Sequence, residues 1–124
     1  MSNPTDVVQL TFDDRGDDGR IAWVTFNNPS KRNALGLAGK DLFFQIMTDL
    51  KHDETLRAVV LTGAGDKSFV GGSNLAEMAG YDLAKAEASA TKTHRACDSV
   101  RQFLVPVIAR INGFCFGSGM EIAA

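Results

Sequence analysis

What most constrains the folding of this chain is an alternation of strand and helix signals, broken twice by glycine. Residues 58–62 are a continuous apolar run of strand length, the kind found inside parallel sheets. The apolar run 104–111 reads as a second buried strand, with Pro106 opening its pairing segment 107–111. Residues 35–51 lie before the first run. They carry Phe43, Ile46, Met47 and Leu50 at three- and four-residue intervals, an apolar stripe on a helix. Residues 82–103 separate the two runs and predict a long helix with Asp82 as its N-cap. Strands that alternate with helices in this way form an α/β fold with right-handed crossovers.

The chain opens differently. Residues 7–12 and Arg20–Phe26 are β-rich and flank a polar turn at 13–19, so they predict a hairpin, with Ile21, Trp23 and Thr25 sharing one face. Trp23 and the eight phenylalanines are expected in the core. Phe69-Val70 reads as one more short strand. The 124 residues predict one domain over 1–124.

Charge and composition exclude several classes. A net charge of -2 with scattered basic residues gives no footprint for nucleic acid. No apolar run reaches the roughly 20 residues needed to cross a bilayer. The first six residues lack the basic and apolar regions of a signal peptide, which makes a cytoplasmic location the default. Cys97 and Cys115 have no metal-binding spacing and read as reduced core thiols; no metal is expected.

The chemistry centres on two glycine-rich bends, Gly71-Gly72-Ser73 and Gly117-Ser118-Gly119, each after an apolar strand and before a helix-like segment. Glycine lets a ligand approach the backbone, so two such bends on neighbouring strands can direct two N–H groups at one oxygen. They can equally be tight turns and nothing more. Neither matches a phosphate-binding or dinucleotide motif. Glu121 follows the second bend between Met120 and Ile122, and apolar surroundings would raise its pKa and suit it to proton transfer. The plainer alternative is a first-turn carboxylate that favours a helix N-terminus. Lys31-Arg32 fits either a phosphate contact or a solvated pair, and His52 and His94 carry no recognisable partner.

Four segments together resemble the enoyl-CoA hydratase/isomerase (crotonase) superfamily over about residues 7–124. They are 21–29 with 31–35, 56–63, 67–78, and 106–113 continuing to Glu121. The resemblance implies a spiral of repeated ββα units, here ending before the C-terminal helices, as in the N-terminal half of a family member. It implies an acyl-CoA thioester as substrate, no cofactor beyond it, and a homotrimer or a dimer of trimers in the full-length form. By position, the amides of Ser73 and Ser118 are the expected oxyanion donors, with Gly72, Leu75 and Gly117 on the substrate side. Glu121 falls on the first of two glutamates used by the hydratases. The reaction implied first is addition of water across the 2,3-double bond of an enoyl thioester; the alternatives are another reaction of the family (isomerisation, dehydration or decarboxylation) or a non-catalytic fragment that serves as an interaction module. Position 118 is commonly glycine, position 74 aspartate, and a CoA-binding lysine is common near 76, where this chain has Ser118, Asn74 and Ala76. The CoA phosphates therefore fall to Lys31 and Arg32, and the adenine to the backbone around Ala34.

Overall fold

The computed structural model describes residues 6–124, so the reading of residues 1–5 as free of a leader lies outside the described residues. The hairpin is present. Strand β1 (Val8–Asp14) pairs antiparallel with β2 (Arg20–Phe26), from Val8 opposite Phe26 to Asp14 opposite Arg20. The strand runs two residues further than expected, because the chain reverses within residues 15–19, closed by the Arg15 amide donating to the Gly19 carbonyl at 2.8 Å.

Helix α1 (Leu37–Leu50) carries the chain to β3 (Leu56–Gly63), which lies parallel to β2. Then come β4 (Ser68–Val70), the short helix α2 (Leu75–Met78) and the long helix α3 (Leu83–Arg101). The last turn is β5 (Val107–Ala109), β6 (Phe114–Cys115) and α4 (Ser118–Ala123). One sheet has the order β1-β2-β3-β5 and a second the order β4-β6, with β3/β5 and β4/β6 both parallel. Leu35 forms a parallel bridge with Ser73, beside β4. The chain thus repeats one route three times: a strand in the first sheet, a short segment in the second, then helix. That is the expected spiral of ββα turns. It also explains why the first helix starts at Leu37 rather than at residue 35, since Leu35 is used as a strand.

The core fills the space between the sheets and the helices. Phe26, Phe43 and Phe69 are fully buried, and the Phe26 ring meets the other two at centroid distances of 5.4 and 5.5 Å. Strand alternation buries Ala22, Val24 and Phe26, leaving Ile21, Trp23 and Thr25 together on the opposite, half-buried face. Trp23 is therefore not a core residue, and Phe114 and Phe116 are exposed and stacked on each other. The expected buried strand at 104–111 is corrected too. Only residues 107–109 pair, Leu104 is 82% exposed, and Ile108 and Ile111 are exposed. β5 is the edge strand of its sheet, so one of its sides has no covering strand among the described residues. Cys97 and Cys115 are free and half-buried, and burial pushes both thiols above their ordinary pKa. Among the described residues no helix is long and apolar enough to cross a membrane.

Two asparagines tie the three turns together at one rung. The Asn33 amide nitrogen donates to the carbonyls of Ser68 (2.9 Å) and Ala64 (3.1 Å), while its oxygen accepts from the Asn28 amide at 2.8 Å. From the next turn, the Asn112 side chain donates to the same Ser68 carbonyl (3.2 Å) and accepts from the Gly63 amide (3.0 Å). Asn33 is only 1% exposed, so its partners have little water to turn to. Asn33→Ala is expected to lower unfolding free energy by about 1–3 kcal/mol, the cost of stranding buried polar groups. Equilibrium urea unfolding measures this, and an unchanged midpoint would contradict it.

Candidate active site

The two glycine bends meet. β6 lies beside β4, and beyond it the Phe116 amide donates to the Val70 carbonyl at 3.2 Å, so the chain segments leaving both strands run side by side. Gly72 has φ +123° and Gly117 φ +51°, conformations that side chains resist. A Cβ on Gly117 would sit 3.6 Å from the Gly72 Cα. The bends are therefore in van der Waals contact, and both departures from ordinary backbone fall at the point of contact.

Backbone pairing decides which amides remain available. Leu35 donates to the Gly72 carbonyl (2.9 Å) and accepts from the Asn74 amide (3.1 Å). Those bonds use the residues on either side of Ser73, so the Ser73 N–H points away from Leu35. Ser118 is the first residue of α4, where an N–H has no intrahelical acceptor. The following amide, Gly119, is taken by the Phe116 carbonyl at 2.9 Å. Among the described residues neither the Ser73 nor the Ser118 amide donates to the backbone.

Both serines line a cavity of about 880 Å³. So do the other residues singled out in the sequence: Gly72 and Gly117 at the bends, Leu75 on α2, and Glu121 on α4. Lys31, Arg32 and Ala34 line its rim. The two cations are exposed and, among the described residues, in no ion pair. Arg32 and Asn33 both adopt left-handed backbone (φ +55° and +56°), a turn pinned by the Gly71 amide on the Arg32 carbonyl at 2.8 Å.

One expectation changes. Glu121 is exposed, not enclosed by apolar groups. Met120 is exposed as well, and only Ile122 is buried. Successive residues on a helix point in different directions, so apolar neighbours in sequence do not enclose the residue between them. Ser118, by contrast, is 5% exposed, and its hydroxyl is buried with no hydrogen-bond partner among the described residues.

The cavity and the polar groups behind it include residues that the sequence did not reveal. Lys40 on α1 is 2% exposed, and its ammonium donates to the hydroxyls of Ser73 (3.0 Å) and Ser89 (3.1 Å). Burial lowers its pKa; Glu121, then Glu77 and Cys97, pull the other way. The signal was present: Lys40 sits three residues before Phe43, on the apolar stripe of α1. Glu77 closes the open end of α1, where Gly36 offers no side-chain cap. Its carboxylate accepts from the Leu37 amide at 3.0 Å and from the Tyr81 hydroxyl at 2.8 Å. Those two bonds, the backbone one first, hold the Glu77 carboxyl below the usual range, while burial and then Glu77 push the Tyr81 hydroxyl up. His94, to which the sequence gives no recognisable partner, lines the cavity from α3.

Comparison with known proteins adds a family. The family model for enoyl-CoA hydratase/isomerase matches residues 16–124. A short-chain-enoyl-CoA hydratase of Clostridium acetobutylicum is 34% identical over 106 residues, covering 86% of this chain and 41% of that protein. A crystal structure of an enoyl-CoA hydratase from Bacillus anthracis superposes with a TM-score of 0.87 at 28% identity, over 95% of this chain and 44% of that one. An enoyl-CoA hydratase/carnithine racemase structure from Magnetospirillum magneticum gives 0.84 at 35% identity, over 96% and 43%. The chain spans about two-fifths of the length of the curated relatives it matches.

Glu77 gives the site a pH signature. Its folded pKa lies below the ordinary value of 4.5, so its contribution to stability is present above that value and is lost as pH falls through the folded one. Glu77→Gln is expected to be less stable than the wild type at neutral pH, with the gap closing under acid. Thermal unfolding across pH 3–7 measures this. A gap that stays constant with pH would contradict the role of the carboxylate.

Proposed function

The chain belongs to the enoyl-CoA hydratase/isomerase family and has its crotonase-like spiral of ββα turns, and on that footing we propose that it carries the oxyanion half of an enoyl-CoA hydratase site. The observation behind this reading is the contact between the two bends, with two amides left without backbone acceptors on one cavity. A thioester oxygen accepting from both would be held as it turns into an enolate oxygen. One such donor is worth about 2.7–4 kcal/mol of transition-state stabilisation.

The rest of the step follows from charge. Glu121 is the one carboxylate lining the cavity among the described residues. It would orient a water molecule and accept its proton as the oxygen bonds to C3. The electron pair of the double bond moves through C2 to the thioester oxygen, held by the Ser73 and Ser118 amides. Reprotonation at C2 completes the hydration and needs a second acid, outside the described residues. At the rim, Lys31 and Arg32 are exposed cations without acidic partners among the described residues, suited to the phosphates of CoA. The Ala34 backbone beside them would face the adenine.

Hydration of crotonyl-CoA by the intact protein tests the reading. Glu121→Gln is expected to lower turnover by about 10²–10⁴-fold, the usual share of a general acid/base group, with only a modest change in CoA affinity. Unchanged turnover would remove Glu121 from the mechanism. Migration of the double bond in a 3-enoyl thioester, without hydration, would move the assignment to an isomerase.

A further inference from the structure

Lys40 is the most unexpected residue in the molecule. It occupies a core-facing position of α1, and lysine is almost never fully buried unless its charge is answered. Among the described residues no carboxylate lies within ion-pair distance of it. The charged and titratable groups facing it at longer range are Glu121 from α4, Glu77 from α2 and Cys97 from α3. Its contact partners are two hydroxyls, and an ammonium group only donates. Ser73 and Ser89 must each accept from it, and each keeps its own proton to donate elsewhere. Ser89 bears electrostatically on the Tyr81 hydroxyl, whose own proton goes to Glu77. The Ser73 hydroxyl proton has no acceptor among the described residues, and Ser73 lines the cavity with an unpaired amide. One residue therefore offers the cavity two donors, and a buried cation stands behind the second.

We propose that Lys40 is a positioning residue for the oxyanion step, acting through Ser73. Its ammonium turns the Ser73 hydroxyl proton toward the cavity and favours negative charge on a bound thioester. This rests on the acyl-thioester reading above and adds a side-chain donor to its two backbone donors. An ammonium without a contact counter-ion, beside a site where an enolate forms, favours the anionic state over the neutral one.

The test uses acetoacetyl-CoA bound to the intact protein. Its enolate forms when the proton between the two carbonyls passes to solvent and the C–H electron pair moves onto oxygen, which produces a near-ultraviolet band. The wild type is expected to enrich the bound enolate. Lys40→Met, which preserves length and apolar packing, is expected to lower the enolate-to-keto ratio about tenfold, the size of one charge-assisted hydrogen bond. Ser73→Ala keeps the amide and is expected to lose as much, and the double variant no more than either single one. A Lys40→Met or Ser73→Ala protein that keeps the full band would overturn the proposal, as would losses that add in the double variant. A lysine that only anchors α1 to α3 would alter the urea midpoint and leave the spectrum of the folded protein unchanged. A wild type that binds acetoacetyl-CoA without the band would defeat the oxyanion reading itself, and this inference with it.

Discussion

The contact between Gly72 and Gly117 is the constraint on which the rest of the structure depends. A Cβ at either glycine would meet only ordinary contacts, 3.6 Å to the Gly72 Cα and 3.7 Å to the Phe116 carbonyl oxygen, so what both positions demand is their positive φ, which side chains resist. Everything upstream serves to bring them there. Parallel pairing of β4 with β6 sets the two bends side by side. The bridge between Leu35 and Ser73 takes up the amides around Ser73 and turns its own N–H the other way. The start of α4 leaves the Ser118 N–H without a partner for a different reason, the geometry of a helix end. Two unrelated pieces of backbone logic thus leave two donors on one cavity.

The polar groups around this contact form two short runs rather than a scatter. Lys40 joins the Ser73 and Ser89 hydroxyls, while Tyr81 donates to Glu77, which ends on the first amide of α1. Three of the bonds join elements distant in sequence: α1 to the first bend, α1 to α3, and α2 back to α1. A buried polar network rigidifies a site only when its members are satisfied. Here two hydroxyl groups of cavity-lining residues are left over: Ser73 with a proton to give, and the buried Ser118 hydroxyl with no partner among the described residues.

Much of this was legible in the sequence. The glycine bends, the apolar strand at 58–62, the stripe of α1 and the Asp82 cap all express local rules, and Asp82 does accept from the Lys85 amide at 2.8 Å. All nine residues expected at the site line one cavity, and they come from three of the four motifs: 31–35, 67–78 and the segment that leads to Glu121. The misreadings concern surroundings that no local pattern encodes. The run 104–111 is apolar enough to be buried, but burial needs a covering layer, and β5 is an edge. Trp23 lies on the strand face opposite Val24, and alternation alone does not say which face is inner. Lys40 reads as a break in an apolar stripe. Only the hydroxyls of Ser73 and Ser89, 33 and 49 residues away, explain why a lysine can stand there.

The central claim is that the Ser73 and Ser118 amides bind one oxygen together. The most direct measurement is a titration of the nitrogen-15-labelled protein with a CoA thioester, followed by amide resonances. The account predicts that the amide protons of Ser73 and Ser118 shift downfield together and saturate at the same ligand concentration, while free CoA leaves both in place. If the thioester binds and moves resonances elsewhere in the cavity, but one or both of these two stay still, the two bends do not share a ligand oxygen and the account is wrong.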